Sequence, residues 1–514
     1  MRGLSAANMN MSRHAQHTLL RRTLYAVGFF FLLTLVWHKD RVSHHILRKL
    51  SIKEQMIDID LPDLSLNDYL PCNDLPGASD VLVIVKTGFN VARKRLPMHM
   101  ETTYRCIPNL YIYSDAEDTI SGHKIHDCLA EIDPEVIAKH DDFNFYRKIK
   151  EAQQTLLSSD TKNTSQSLTD LLSSQDDVDD AWRLDKWKNI PLLLKAYQHK
   201  PDAKWYLFLD GDTYPVWSNL LHWLSRKNHN KRSYLGCQAW IGDTVFGHGG
   251  SGYILSSAAM TAAVEALQTD VQKYYAIPDD ECCGDVAVSK FLTQTLDLNL
   301  TASWPIMQGE TPESLDYTQE KWCKTVGSYH HVDPDEVDAL WRFEQHWIRW
   351  NHDQQRLGKA EGLAPPILHR DVYDFFVRPL LQRPITGWDN DSRDRVLRGQ
   401  KEKGSHDDDN NNEASSNSND YAEEKSGDEK EADEEIEYWR EEEKIAHTSF
   451  AACRASCQAD PDCLGYSYLP GVCRLSYVIR LGAQAKGERA RMRSGWMPER
   501  IEVKRREWEG CEDD

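Results

Sequence analysis

The sequence predicts a mixed α/β fold with a mainly parallel central sheet. Short apolar runs alternate with segments of helical spacing such as residues 185–198. Three of the runs end in a glycine or an acid, and these are DVLVIVKTG (80–88), NLYIYSD (109–115) and WYLFLD (205–210). This pattern is typical of strands buried on both faces in βαβ units. Because ligands bind outside the carboxyl ends of such strands, Asp115, Asp210 and Asp212 are candidate site residues.

Composition limits the class of protein. Of 514 residues, 40% are hydrophobic, which is enough for a sizeable core and excludes global disorder. The formal net charge of −20 argues against nucleic acid as a partner. Twelve cysteines indicate an oxidising compartment, and the N-glycosylation triplets at Asn163, Asn299 and Asn390 agree with a lumenal location.

Residues 23–38, TLYAVGFFFLLTLVWH, form an uncharged run near the N-terminus. As a helix the run spans ~24 Å, short for a bilayer core of ~30 Å but sufficient for a thin membrane. A cleaved signal peptide is the alternative, but the run ends in Trp37, His38 and Lys39 without a small-residue cleavage site. We therefore expect an uncleaved transmembrane anchor at 23–38, with a cytoplasmic tail at 1–22 and a polar stem at 39–77.

Asp210 and Asp212 end the most hydrophobic short run and are close enough to repel each other. A solvated acidic turn would explain them without any function. A calcium loop fails, because its later ligand positions would be Tyr214 and Leu221. The nucleophilic D-x-D-G-T pattern fails too, since the glycine lies between the two acids. A divalent cation such as Mg²⁺ or Mn²⁺, shared with a substrate diphosphate, remains.

Four segments occur in an order that resembles the fringe and core 1 β-1,3-galactosyltransferase family, glycosyltransferase family 31. They are FLDGDTY (208–214), FGHGGSGYILS (246–256), ECCGDVAVSKFL (281–292) and SYHHVDP (328–334). The resemblance covers roughly residues 78–390. It implies a GT-A type nucleotide-sugar-binding fold and inverting, metal-dependent transfer from a UDP-sugar to a glycan or glycoprotein acceptor.

The same resemblance assigns roles to residues of this chain. It implies Mn²⁺ or Mg²⁺ held by Asp210, Asp212 and His330, with His331 as the adjacent alternative. UDP-galactose is the expected donor, transferred in β-1,3 linkage, and fringe-like transfer of N-acetylglucosamine is the nearest alternative. A lumenal carbohydrate- or protein-binding protein without activity is the alternative from another class. The family relation also favours a type II protein of the Golgi or another endomembrane.

Asp285 matches the position of the family's catalytic base, and Asp279, Asp280 and Glu281 are its possible substitutes. Contacts to the donor are expected from Asp115 and from a glycine-rich segment that lets the backbone approach closely, namely Gly249, Gly250 and Gly252. The sequence departs from the family at two places. Gly211 replaces the middle acid of the usual triplet, and Gly284 precedes Asp285 where the family has a second acid.

The C-terminal part of the chain has a different composition. Residues 401–440 hold fifteen acidic and five basic residues, so we expect a disordered acidic linker at 396–437 between a GT-A domain at 78–395 and a unit at 438–514. That unit resembles small PAN/apple-like α+β domains, which bind proteins or carbohydrate. Disulfides explain its cysteines better than zinc does, because paired C-x-x-C motifs are missing. The candidates are Cys453, Cys457, Cys463 and Cys473.

Overall fold

The structure is a computed structural model that describes residues 72, 75–157, 174–356, 365–399 and 440–511. The expected anchor, most of the stem and nearly all of the acidic linker lie outside these residues. Among the described residues, no helix is both long and apolar enough to cross a bilayer.

The larger of two main sheets has eight strands. They are β1 (Val81–Lys86), β2 (Leu110–Ser114), β3 (Asp118–Ile120), β4 (His123–Asp127), β5 (Trp205–Asp210), β7 (Tyr234–Gly236), β10 (Tyr253–Ser256) and β11 (Leu300–Ala302). Their order is β11-β7-β10-β5-β1-β2-β4-β3. The four strands β5, β1, β2 and β4 are parallel, and β10 runs antiparallel between β5 and β7. The predicted mixed α/β fold with a mainly parallel sheet is confirmed, and it is compatible with the GT-A type.

Short strands outside this sheet form small pairs. The pairs are β6 (Tyr214–Pro215) with β12 (Ser328–Tyr329), β8 (Gln238–Ile241) with β9 (Thr244–Gly247), and β14 (Trp388–Asp389) with β18 (Ala483–Gln484). The first pair matters for the site, because it brings the segment after β12 next to the end of β5.

Most of the helices lie between strands along the chain. They are α1 (Phe89–Glu101), α2 (Pro134–Lys139), α3 (Asn144–Leu157), α4 (Gln175–Asp185), α5 (Asn189–His199), α6 (Trp217–Ser225), α7 (Ser257–Leu267), α8 (Val271–Tyr275), α9 (Gly284–Leu296), α10 (Gln319–Trp322), α11 (Pro334–Arg356), α12 (His369–Val372), α13 (Glu441–Lys444), α14 (Phe450–Ala459) and α15 (Pro498–Glu507). The helix expected over 185–198 is in fact the end of α4 followed by α5. The break between them places Lys186 and Lys188 near the edge of the sheet.

The predicted strands form where the apolar runs indicated them. Every residue of β1 except Lys86 is buried, and in β5 every residue except Asp210 is buried. Helices α5, α7 and α9 pack against this sheet through a core of apolar side chains. Burial of apolar surface on both faces of these strands is the main source of stability, and it fixes the polar strand ends at one edge.

The second main sheet is antiparallel, and its strands are β13 (Ile385–Thr386), β15 (Arg395–Arg398), β16 (Gly465–Leu469), β17 (Val472–Ser476) and β19 (Arg493–Trp496). Their order in the sheet is β13-β19-β16-β17-β15. Two of them, β13 and β15, precede the acidic segment. The predicted domain boundary at residue 395 coincides with the start of β15, which pairs with β17 beyond the acidic segment.

Cysteine pairing in the second sheet agrees with the prediction of disulfides. Cys453 bonds to Cys473 and Cys457 bonds to Cys463, and all four residues are buried. A third bond, Cys323–Cys511, joins the C-terminal residues to the segment that follows α10. The parts of the chain that form the two sheets are thus connected by this disulfide as well as by the backbone.

The glycosylation triplets have different outcomes. Asn299 is exposed, as a modified asparagine must be. Asn390 is buried, and its side-chain amide donates to the carbonyl oxygens of Tyr466 and Gly495 at 3.3 Å each. Asn390 is therefore not a glycosylation site in the folded protein. Asn163 lies outside the described residues.

Candidate functional site

Charged residues gather at the carboxyl edge of the parallel strands. Lys86 ends β1, Asp115 follows β2, and Asp210 ends β5 two residues before Asp212. Strand register aligns Lys86 with Asp210 and with Tyr113, so these strand ends lie side by side. The three acids predicted from the sequence do share one edge of the sheet.

The two acids of the D-x-D segment have different partners. The Oδ1 atom of Asp210 lies 3.2 Å from the Lys86 ammonium group. The Oδ1 atom of Asp212 lies 3.5 Å from Nε2 of His330, and its Oδ2 atom lies 3.7 Å from Nδ1 of His331. Asp212 also forms an ion pair with Arg95 at 3.0 Å. The two acids were predicted to share one cation, but they have separate neighbours. Asp210 contacts Lys86, whereas Asp212 contacts the two histidines.

Asp212, His330 and His331 form a candidate metal centre. One ligand atom of each residue lies within 4.8 Å of the others. Asp212 and His330 are buried, and His331 is exposed with a backbone φ of 60°, an unusual conformation for a residue other than glycine. The structure thus unites a predicted ligand pair with the predicted alternative, His331, while Asp210 lies outside the group.

The residues present fit a divalent cation. Two imidazoles and one carboxylate are ligands that suit Mn²⁺ and related transition metals better than Mg²⁺, which prefers oxygen ligands. The Nδ1 atom of His330 is buried without a hydrogen-bond partner, so that ring is not committed to another described residue on that side. Burial alone would raise the pKa of Asp212, but the adjacent His330 and His331 rings and the positive charge of Arg95 outweigh it and lower this pKa. Asp212 is therefore an anionic ligand at neutral pH.

The glycine-rich segment shapes the wall next to His330. A Cβ atom at Gly250 would lie 2.2 Å from Cε1 of that ring, so only glycine fits there. The Gly250 carbonyl accepts a hydrogen bond from the Thr213 hydroxyl at 2.7 Å, which ties the segment to the end of β5. Gly252 has a φ of 84°, a conformation that favours glycine. The backbone of this segment thus approaches the histidine closely, and its predicted contact with the donor stays a prediction.

Asp285, the predicted base, lies in the first turn of α9 beside the same segment. Its Oδ2 accepts a hydrogen bond from the Gly249 N–H at 2.8 Å, and the side chain is half-buried. Burial raises the pKa of Asp285, although the Gly249 hydrogen bond and the charge of Lys86 oppose this. A carboxylate with a raised pKa and a fixed orientation is suited to accept a proton.

The substitutes considered for the base have partners of their own. Glu281 pairs with Lys290 at 2.6 Å, and Asp279 pairs with His140 at 2.8 Å. Asp280 is exposed. Asp285 is the acid of this group that contacts the glycine-rich segment.

Asp115 belongs to a chain of alternating charges that the sequence did not reveal. The chain runs Asp115, Lys188, Asp185, Lys86, Asp210, with separations of 3.8 Å for the first pair, 3.2 Å for the second and 3.2 Å for the last. Lys86 also forms a short ion pair with Asp185. Asp115 accepts a hydrogen bond from the Phe89 N–H at 2.6 Å, and its Oδ2 atom is buried without a partner. A lysine that ends an otherwise apolar strand, as Lys86 does, was the available signal.

The fold and the site together define an α/β protein with a candidate metal centre and a neighbouring half-buried carboxylate at the carboxyl edge of its sheet. No family model matches the chain. Among solved structures, a glycosyltransferase involved in the glycosylation of the major capsid of PBCV-1 is similar at 12% identity, over 51% of this chain and 98% of that one, with a TM-score of 0.24. A likeness at this score carries no argument about activity, which must come from the site.

Proposed function

We propose that the protein is a metal-dependent glycosyltransferase that moves a hexose from a UDP-sugar to a glycan or glycoprotein acceptor. The observation that carries this proposal is the convergence of Asp212, His330 and His331 beside Asp285, at the edge where ligands bind in such sheets. Nucleotide-sugar transfer needs both a cation for the leaving diphosphate and a base for the acceptor hydroxyl.

Each group has a part in the reaction. Asp212, His330 and His331 would hold a divalent cation, Mn²⁺ in preference to Mg²⁺, which when bound supplies positive charge to the leaving diphosphate. Asp285 accepts the proton of the attacking acceptor hydroxyl, and the Gly249 N–H holds Oδ2 in position for this step. A base on the acceptor side agrees with inversion at the anomeric carbon. The glycine-rich segment lies against both groups, since the His330 ring packs on Gly250 and the Gly249 N–H donates to Asp285.

The finer assignments depend on the family resemblance of the sequence. It favours UDP-galactose as donor and a β-1,3 linkage, with N-acetylglucosamine as the nearest alternative sugar. It also favours a type II protein of the Golgi or another endomembrane, with its body in the lumen.

A second candidate is a binding protein without transferase activity, and one observation favours it. Both acids of the D-x-D segment already have protein cations, Lys86 for Asp210 and Arg95 for Asp212. Arg95 is 39% exposed, so it can move away from Asp212 when a metal competes for the carboxylate. If Arg95 instead stays paired with Asp212, its positive charge prevents a metal cation from binding there.

Binding and turnover of UDP-sugars distinguish the two candidates. Isothermal titration should show Mn²⁺-dependent binding of UDP to the wild-type protein, and UDP release should be measured with UDP-galactose, UDP-N-acetylglucosamine and UDP-glucose. Asp212→Ala should abolish both signals while circular dichroism remains unchanged. The matched control is Asp202→Ala. Asp202 is 79% exposed, and its ion-pair partner is Lys200 rather than a residue of the site. A wild-type protein that neither binds UDP with Mn²⁺ nor releases UDP from any donor contradicts the transferase.

The role of Asp285 has its own test. Asp285→Asn should retain Mn²⁺-dependent UDP binding but lower turnover by at least about a hundredfold, since general-base catalysis contributes roughly 10²–10⁴-fold. Glu281→Gln should leave turnover nearly unchanged, because Glu281 pairs with Lys290. The reverse result would assign the base to Glu281.

A further inference from the structure

The second sheet has one face that packs against α14 and one that does not. Leu397, Cys473 and Tyr466 belong to the core with Cys453 of α14. Successive side chains of a strand point to opposite faces, so the residues between them in sequence point to the other face. That second face carries Arg398 on β15, Arg474 on β17 and Ser467 on β16, in addition to Val396.

Strand register places these side chains together. Arg474 is directly opposite Val396 on one side and Ser467 on the other. Arg398, two residues beyond Val396, is therefore a diagonal neighbour of Arg474 on the same face. Arg489, in the short helix Gly487–Arg491, is close enough for its charge to act on Arg474.

Positive charge exceeds negative charge at this place. Of the described residues, the charges that act on Arg474 are those of Arg398, Arg489 and one acid, Asp389, which lies 3.4 Å from Arg489. Burial and the two neighbouring arginines lower the pKa of Arg474. The opposite face provides the contrast, since Arg395 there has an acid partner, Glu443, at 2.9 Å.

Two buried polar atoms in the cluster have no partner. These are Nη1 of Arg474 and the hydroxyl oxygen of Ser467, which faces Arg474 across the strands. Leaving such a buried atom without a hydrogen bond is unfavourable. A guanidinium N–H and a serine hydroxyl can both donate hydrogen bonds, and an oxyanion accepts from both while neutralising the arginines.

We propose that Arg398, Arg474, Arg489 and Ser467, the arginine cluster, bind an oxyanion carried by a glycan: a sulfate, a phosphate or a uronic-acid carboxylate. That the ligand is a glycan rests on the proposed function. The second sheet is joined to the larger one by the Cys323–Cys511 disulfide and by the ion pair between Arg480 and Asp316. A charged glycan held at the arginine cluster is thereby kept on the same body as the transfer site.

The test measures binding of three oligosaccharides of equal length to the full chain. The probes are a sulfated heparin hexasaccharide, a hexagalacturonate and neutral maltohexaose, titrated at low and at physiological salt. The anionic probes should bind, with affinity that falls as salt rises, and maltohexaose should not. Arg474→Gln and Arg489→Gln should each weaken binding about tenfold or more, as expected for loss of a charge-assisted hydrogen bond. Arg489 is 66% exposed, so its variant tests the site even if Arg474→Gln does not fold.

Arg454→Gln is the matched control. Arg454 is an exposed arginine on α14, on the other side of the sheet, and its replacement changes the net charge equally. Equal weakening by Arg454→Gln, or anionic binding that both cluster variants leave intact, contradicts the proposal. Release of UDP from UDP-sugars should be the same in all three variants. A protein that binds the anionic probes at the cluster without any such release would retain this site while losing the proposed function.

Discussion

The two main sheets are stabilised in different ways. At the carboxyl edge of the larger sheet, buried and partly buried charges compensate one another in the chain from Asp115 to Asp210. The second sheet has a small core, and two disulfides cross-link that core, Cys453–Cys473 and Cys457–Cys463. At the edge of the larger sheet, ion pairs offset the free-energy cost of burying charged side chains. Where the apolar core is small, covalent bonds replace it.

The largest effect is expected from breaking the charge chain. Lys188 is 1% exposed, and Asp115 beside it is fully buried. Burial alone would lower the pKa of Lys188, but the charges of Asp115 and Asp185 raise it. Lys188→Met leaves the buried Asp115 without its cation, while Asp185 keeps Lys86, and it should lower the free energy of unfolding by about 3–5 kcal/mol in urea titrations. Lys204→Met, whose exposed partner is Asp80, should cost under about 1 kcal/mol. An equal decrease in the free energy of unfolding in both variants would contradict a special role for the chain of charges from Asp115 to Asp210.

The second sheet should respond to loss of a disulfide instead. The Cys453–Cys473 bond closes a loop of 20 residues. A double replacement by alanine should lower the free energy of unfolding by about 3 kcal/mol. Mn²⁺-dependent UDP binding should persist, because its ligands lie at the other sheet. Cys282→Ala, at an exposed free cysteine, is the control that should change neither quantity. Loss of UDP binding in the double variant would show that the two sheets are not independent in this respect.

A buried histidine makes stability depend on pH. His369 is fully buried, its Nε2 lies 3.0 Å from the Pro305 carbonyl oxygen, and burial lowers its pKa from 6.5 to about 4. The unfolded chain takes up a proton below pH 6.5 that the folded protein does not, so stability is complete above that pH and declines toward pH 4. Unfolding titrations at pH 7.5 and 5 should differ by about 2 kcal/mol from this residue alone. His369→Gln should remove that share of the difference, whereas replacement of the exposed His123 should not.

The smallest expected effect comes from adding a methyl group at Gly250, next to the proposed metal ligand His330. Gly250→Ala would place Cβ against the His330 ring and displace it from Asp212. The affinity for Mn²⁺ should fall by about tenfold or more, as for other residues that orient a metal ligand, without global unfolding. Gly510→Ala, where a new Cβ meets nothing within 4 Å, is the control. An unchanged affinity in Gly250→Ala would argue against His330 as a ligand.

Sequence reasoning located the edge of the larger sheet and many of its residues. Long apolar runs define β1, β2 and β5, and an acid after such a run needs solvent or a partner, which identified Asp115, Asp210 and Asp212. The sequence could not show which cation each acid would have. Lys86, Arg95 and Lys188 pair with acids far away in the chain, and such contacts exist only in the folded protein.

The second sheet was harder to delimit for a related reason. β13 has two residues and β15 has four, too few for a periodic pattern, and both pair with strands beyond the acidic segment. Disulfide connectivity is equally nonlocal, so Cys323–Cys511 could not be assigned in advance. The glycosylation triplet at Asn390 was misleading because burial is not visible in three letters of sequence.

The path of the chain through the second sheet has a consequence for proteolysis. β13 and β15 lie before residues 400–439 and their partners lie after them, while the Cys323–Cys511 bond spans the same interval. A single cut there yields two polypeptides that remain joined by strand pairing and by one covalent bridge. Such a nicked molecule migrates as one species until it is both denatured and reduced, so intact migration on a non-reducing gel does not prove an intact backbone.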